Sequence, residues 1–434
     1  MLTRIEIDGF KTFRDFALDL PPFLVVLGRN GAGKSNLFDA LRFLSRLAHE
    51  PLAKAAPHAR GELPELFHQD TEGRRETRMR FAVEVTLDRE VTDDFGATAA
   101  LPDTRVRYEL VIEQRSARLF VAEESARPIP SGSGRDRPFL DTVGTTFLIR
   151  RDAEGAVVSL PATGAVSTVL SVIGTVSESA TLFALKRELS SWRHLHLDPA
   201  ALRRPDGFDD PAELAADGAH LPNTLHRIAE TTGSGDRPKG LLGDISADLA
   251  GVISDVSGIR VDEDTKRRRR EVEFRARGGG EPVSARVASD GTLRAAALLT
   301  AAYDPANSGL LCFEEPENGI YPQRLVTLVR RLHSVVERAV ERRSSDPAAP
   351  LVQLLLSSHS PAILRALDPS ADAVFLTTVT RVFPGRSRSR ITQPRLIGSG
   401  ERPSLADQDA RDPNERLISP AEIAEFEVRQ VLEA

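Results

Sequence analysis

"FLVVLGRNGAGKS", Phe23 to Ser35, decides how the rest of the chain is read. Five consecutive apolar residues, Phe23 to Leu27, predict a strand covered on both faces. The eight that follow, Gly28 to Ser35, fit Gly-x-x-x-x-Gly-Lys-Ser, and beyond them Leu37, Leu41, Leu44 and Ala48 recur at helical spacing. Strand, glycine loop and helix in that order form the context in which this pattern cradles phosphate. Gly31 and Gly33 let backbone N–H groups converge on phosphate oxygens without Cβ clashes, and the helix N-terminus adds partial positive charge. Gly28, Arg29, Asn30, Gly31, Ala32, Gly33 and Asn36 complete the cradle; Lys34 supplies a point charge for the β- and γ-phosphates and Ser35 a hydroxyl for Mg2+. A Gly-rich turn with no ligand is the competing reading.

Three later stretches carry further candidate chemistry. "LLCFEEPENGIYP" is a buried apolar strand ending in Glu314 and Glu315. One carboxylate can hold Mg2+ through water while its neighbour, on the opposite side of the strand end, positions and deprotonates an attacking water. A solvated acidic turn accounts for the same letters. "VASDGTLRAAALLTAAYD" puts Ser289, Asp290 and Gly291 at the start of an apolar helix, where Ser289 or Asp290 reads as an N-cap. A capped helix start is also an anion site, and its phosphate need not belong to the same subunit. "LVQLLLSSHSP" is another buried strand, ending at His359, which could hydrogen-bond a γ-phosphate or the attacking water. A lone histidine equally reads as structural.

Around these motifs, 434 residues predict two or three interlocked subdomains. "TRMRFAVEVTL" and "TRVRYELVIEQ" alternate as antiparallel strands do, with further strands at "RLFVAEE" and "TTFLIRR". From about Ala165 the pattern turns helical, in "SESATLFALKRELSSW", "LPNTLHRIAE" and "LLGDISADLAGVISDV". Strands return at "GIRVDED" and "REVEFRAR", and a long amphipathic helix starts at Pro322. The chain ends in an acidic helix, "SPAEIAEFEVRQVLEA", read as a peripheral tail. The single cysteine, Cys312, sits in an apolar run as a small core residue and excludes a disulfide framework. No apolar stretch is long enough to span a bilayer and the N-terminus does not read as a signal peptide, so no membrane contact is expected and the protein is placed in the cytoplasm. A net charge of −6 leaves nucleic-acid contact to local patches. Lys266 to Arg270 in "DTKRRRREVEF" is one candidate; Arg386, Arg388 and Arg390 form a second, and both also read as solvated charged turns.

In chain order, "GRNGAGKS", "SDGTLR", "LLCFEEPENGIYP" and "LLLSSHSP" together resemble the ABC-type ATPase head of the RecF and SMC group. They are similar, more closely, to the stand-alone bacterial AAA-family ATPases related to the overcoming-lysogenization-defect (OLD) family. The opening "IEIDGFKTFRDFALDL" looks like the first strands of those heads, and the likeness spans about residues 1–380. The resemblance implies an α/β fold: a P-loop head with a mixed or parallel core sheet, an antiparallel β subdomain, and a helical lobe inserted between the phosphate loop (Walker A) and the signature motif. The corresponding blocks are 1–164 for the N-terminal half with its β subdomain, 165–256 for the helical lobe, 257–380 for the C-terminal half, and 381–434 for a tail.

The same resemblance implies ATP and Mg2+ as cofactors and an ATPase reaction. Ser289 and Gly291 would contact the γ-phosphate of ATP held by a second subunit, Glu314 would serve Mg2+, Glu315 would be the general base, and His359 the switch histidine. Pro316 to Gly319 would cross to the other subunit. The implied assembly is a homodimer or higher oligomer closed on ATP, acting on a separate effector protein, a nuclease among the candidates, in antiphage defence or DNA repair. A nucleotide-switched scaffold with negligible turnover is the alternative. A transporter ATPase fits less well, because "SDGTLR" replaces LSGGQ. Gln69 in "ELFHQD" is a candidate for the Mg2+-sensing glutamine and reads equally as a solvent-facing loop residue. Two departures matter: the insertion is too short and too broken by Pro and Gly for the long SMC coiled coil, and the roughly 75 residues after His359 hold no acidic cluster of the kind a two-metal nuclease needs. Nuclease activity is therefore not expected on this chain.

Overall fold

The computed structural model describes residues 1–129, 137–151, 156–346, 349–383, 388–397, 417–418 and 422. They fall into two compact units with interleaved sequence: Met1–Pro21, Gly28–Trp192 and Val374–Ile418 in the first, Pro22–Leu27, Arg193–Ala373 and Ser419–Ala434 in the second.

Period-two alternation builds the main sheet of the first unit. Eight antiparallel strands run in the order Val157–Pro161, Thr146–Arg150, Leu140–Val143, Arg118–Pro128, Arg105–Arg115, Arg78–Thr86, Leu2–Asp8, Phe16–Asp19. Register places Ile5 opposite Val83 and Ile7 opposite Phe81 on the apolar face. The other face carries ion pairs: Arg107 binds Glu6, Glu84 and Glu109, and Arg4 also binds Glu6. Partial burial alone would push the Glu6 carboxyl up, but hydrogen bonds from Arg107 and Arg4 hold it down at about 2. Against the apolar face lies the helix Lys34–Leu47, whose Phe43 stacks on Phe10 at 6.2 Å and meets Phe81 edge-on at 6.0 Å. All three rings are buried, and each contributes roughly 1.5–3 kcal/mol relative to exposure. The same unit contains the helix Ala180–Ser190 and an antiparallel hairpin of Ala373–Val382 with Arg388–Ile397.

The second unit is built on four parallel strands ordered Arg193–Leu195, Gly309–Glu314, Val352–Ser358 and Phe23–Gly28. Uninterrupted apolar runs suit strands buried on both faces, and every residue of Val352–Ser358 is buried. Parallel neighbours need a crossover, here the helix Pro322–Ser345, which buries Leu325, Leu328, Val329, Leu332, Val335, Val336 and Ala339. The Ala-rich helix Asp290–Tyr303 is buried on most sides, which its small side chains permit. Helices Leu221–Thr232 and Leu241–Val252 join an antiparallel pair, Val256–Asp264 with Arg269–Ala276.

The stretch assigned to a helical lobe splits at Trp192, and Arg193–Leu195 within it is a strand of the parallel sheet. The stretch assigned to a tail includes Arg388–Ile397, whose pairing with Ala373–Val382 continues ordered sheet past residue 381. Arg386 and the acidic C-terminal segment, apart from Glu422, lie outside the described residues.

Candidate functional site

In the first unit, the glycine loop leads directly into the helix Lys34–Leu47, whose N-cap is Gly33, at φ 98° and with no side-chain cap hydrogen bond. No N-cap side chain therefore competes with an anion at this helix start. Gly33 cannot be replaced without displacement, because a Cβ there would lie 2.1 Å from Thr392 Oγ1. Lys34 is buried and its Nζ donates to Gly28 O at 2.5 Å and Arg29 O at 3.2 Å, spanning the mouth of the loop. Arg60 donates to Ser35 O at 2.9 Å and to Asp39, which also receives Lys11. Asn36 Nδ2 donates to Thr12 Oγ1 at 2.9 Å. Gln69 is exposed and donates to Gly73 O within its own turn. Its neighbour His68 is buried, with Nδ1 at 2.7 Å from Lys11 O; burial lowers the tendency of its ring to charge.

In the second unit, three parallel strands end in register: Leu27 pairs with Ser358, and Ser357 with Glu314. Within this unit the glutamates and His359 thus issue from the carboxyl ends of adjacent strands, the edge at which α/β sheets bind ligands; Leu27, at the same edge, precedes the glycine loop in sequence. Glu314 is the last strand residue. Glu315 still donates its N–H to Ser357 O at 2.9 Å, but its φ is 50°, a left-handed conformation that costs a non-glycine residue about 1–3 kcal/mol. The alternation expected of Glu314 and Glu315 does not reach Glu315, because the strand ends before it and the turned backbone sets its direction. Glu315 is partly exposed and accepts from Asn318 Nδ2 at 3.0 Å.

Glu317 is the residue the sequence reading missed. Its side chain is only 8% exposed, and Oε1 accepts from Ser358 Oγ and from His359 N–H, both at 2.8 Å. His359 Nδ1 lies 3.1 Å from the same oxygen, at ion-pair range but out of hydrogen-bond alignment, and 4.0 Å from Glu315. The signal was present as the third carboxylate of "EEPE", but the stretch Pro316 to Gly319 was read only as a crossing loop. That loop touches the Ser289 helix in its own chain: a Cβ on Gly291 would lie 2.4 Å from Gly319 O. Ser289 is the N-cap of Asp290–Tyr303 and accepts from Thr292 N–H at 3.2 Å, while Arg203 binds Asp290 and Ala288 O.

The basic hairpin tip is largely paired: Arg268 with Asp209, Arg270 with Glu263, and Arg267 near Asp264. Arg267 and Arg268 remain exposed at the tip. Asp206, Asp210 and His220 bring ligand atoms within 4.8 Å of one another, but Asp206 holds the Asn223 N–H at the start of Leu221–Thr232 and Asp210 holds Gly207 N–H. Among the described residues no helix is long and apolar enough to cross a membrane.

Residues 23–155 and 168–365 match the family profile described as "AAA domain, putative AbiEii toxin, Type IV TA system". The chain belongs to this family. It shares the head fold of the SMC type: a crystal structure of an Smc head bound to the C-winged helix domain of ScpA aligns with 90% of this chain and 97% of that one, at TM-score 0.50 and 11% identity. The Thermotoga maritima SMC head domain aligns with 92% of this chain and 99% of its own, at TM-score 0.43 and 10% identity. Among curated proteins, the chromosome partition protein Smc of Methanocaldococcus jannaschii is 46% identical over 44 residues, 10% of this chain and 4% of that protein. Urease accessory protein 2 of Cryptococcus neoformans is 39% identical over 87 residues, 19% of this chain and 6% of that protein. The chain thus spans only a small fraction of the length of these two relatives. Family and fold together describe an AAA-domain family member with an α/β head of the SMC type.

Proposed function

We propose that this family member binds Mg-ATP, closes as a head-to-tail dimer around it, and hydrolyses it to drive or regulate a partner protein. The observation that carries the reading is the common carboxyl edge of three parallel strands of the second unit, where Leu27 pairs with Ser358 and Ser357 with Glu314, each strand end being followed in sequence by one candidate motif: the glycine loop, Glu315, and His359. The uncapped start of Lys34–Leu47 and the buried Lys34 fit a triphosphate, since both offer donors and neither is a solvated surface group. Ser35 and Glu314 are the oxygen donors for Mg2+, a hard cation that takes carboxylate and hydroxyl ligands. When bound, that ion neutralises charge on the β- and γ-phosphates.

The chain's own residues do the rest. The loop N–H groups and Lys34 orient the γ-phosphate, and Glu315 aligns a water and accepts its proton as the P–O bond to the leaving ADP breaks. Glu317 fixes the backbone of His359 so that its ring can donate toward the phosphate. Ser289 and Gly291 face ATP on the second subunit, with Gly319 holding that helix start from behind. No covalent intermediate is required, and catalysis comes from positioning and fixed charge.

The biological setting is argued from likeness. The family description speaks of a putative AbiEii toxin, and Smc heads are seen with ScpA. By analogy with these, we read the chain as a stand-alone, OLD-like ATPase that passes opening and closing to a separate effector in antiphage defence or DNA repair. Phosphate release by the wild type and Glu315→Gln tests the enzymatic core. The expected outcome is measurable turnover in the wild type and a fall of about 100-fold or more in the variant. Equal inertness of both, with every candidate partner and nucleic acid, would leave only a nucleotide-switched scaffold.

A further inference from the structure

We infer that Thr12 and Thr392 are positioning residues whose hydrogen-bond relay presets the Gly33 amide to face phosphate. The inference rests on reading Gly28–Ser35 as a phosphate cradle. Four groups of one unit form an unbroken chain: Asn36 Nδ2 to Thr12 Oγ1 at 2.9 Å, Thr12 Oγ1 to Thr392 Oγ1 at 2.8 Å, and Thr392 Oγ1 to Ala32 O at 3.0 Å. The direction of every bond follows from its ends. The Asn36 amide nitrogen can only donate and the Ala32 carbonyl can only accept. Thr12 therefore accepts from Asn36 and donates to Thr392, whose own hydrogen goes to Ala32 O. Chains of this kind polarise one another, and Thr392 is 1% exposed, where such bonds are least diluted by water.

The consequence lies on the far side of one peptide. In a trans amide, N–H points opposite to C=O. Drawing Ala32 O toward Thr392 turns the Gly33 N–H away from Thr392 and into the concave side of the loop. The missing Cβ at Gly33 is the counterpart of this arrangement, since Thr392 fills that space. A second bond fixes the frame: Thr392 N–H donates to Thr12 O at 2.9 Å, so the strand Arg388–Ile397 and the segment after Leu2–Asp8 are held together behind the loop. The relay thus reduces the reorganisation needed when an anion arrives.

The test uses the full chain, with Mg-ATP titrated calorimetrically and phosphate release followed against ATP concentration. Thr392→Val keeps shape and removes the donor, so the dissociation constant should rise about tenfold, the scale of one hydrogen bond, with KM rising in step and kcat falling by less. Thr392→Ser restores the hydroxyl and should return affinity to within about twofold. Thr12→Val should give a loss in the same direction, about threefold, and Thr12→Val with Thr392→Val should bind no more weakly than Thr392→Val alone. Near wild-type affinity in Thr392→Val, with binding abolished in Lys34→Ala, would overturn the relay and leave the cradle standing. Wild-type affinity in Lys34→Ala would overturn both. Should Thr392→Val fail to fold, Thr12→Val decides, and unchanged affinity there overturns the relay.

Discussion

At the scale of residues, Glu317 carries two tasks that sequence alone had not separated. Its Oε1 satisfies Ser358 Oγ and the His359 N–H in a site with little solvent access, so Glu317→Ala leaves two donors without an acceptor. Each such loss costs about 1–3 kcal/mol. Glu317→Ala should therefore destabilise the fold by about 2–4 kcal/mol in urea titrations. It should also lower turnover by about 10–100-fold, as loss of an outer-shell partner does. Because the kinetic effect acts through His359, adding Glu317→Ala to His359→Ala should cost little further turnover, whereas fully additive losses would show that Glu317 acts elsewhere. Glu315, beside it, occupies a left-handed backbone position without being glycine, and such positions concentrate where chemistry fixes a side chain.

At the scale of elements, Glu124 joins a strand of the large sheet to the start of Val169–Val172. It is fully buried, and desolvation pushes its carboxyl up to about 7, although Val169 N–H, Leu170 N–H and the Tyr108 hydroxyl all donate to it. The folded state thus binds a proton that the unfolded chain releases near pH 4.5. The stability contributed by this group is full below about pH 4.5 and is lost as pH rises through 7. The unfolding free energy of wild type relative to Glu124→Gln should fall by roughly 2.5 kcal/mol between pH 5 and 8. A flat difference in urea titrations across that range would contradict it.

Elements were legible where their pattern was local. Alternation marked Arg78–Thr86 and Arg105–Arg115, and unbroken apolar runs marked Gly309–Glu314 and Val352–Ser358. Arg388–Ile397 was not legible: it opens on alternating Arg and Ser and contains Pro394, which argues against a strand in isolation. Its pairing with Ala373–Val382 overrides that preference. Arg193–Leu195 is three residues long and, among the described residues, gains its strand character from Gly309–Glu314. The same division holds for the candidate site. Lys34, Ser35, Glu314 and Glu315 announce themselves by contiguous motifs, while Thr392 meets Ala32 across 360 residues of sequence and no spacing could reveal it.

At the scale of the molecule, an SMC-type head fold is reached with 11% identity to an Smc head, so the fold is shared at a level where little sequence is. The proposed closure sets the Ser289 helix start of one copy against a neighbour's nucleotide, so it requires a second copy. Ser289→Arg puts a long cation at the N-cap of Asp290–Tyr303; it should bind ATP normally yet remain monomeric with ATP present, as read by light scattering. The most direct test of ATP-gated closure is the solution mass of Glu315→Gln with Mg-ATP, where hydrolysis cannot reopen the assembly. The account predicts a particle of twice the protomer mass that reverts to one protomer when ATP is withdrawn, and a variant that binds ATP yet stays at one protomer mass would contradict it.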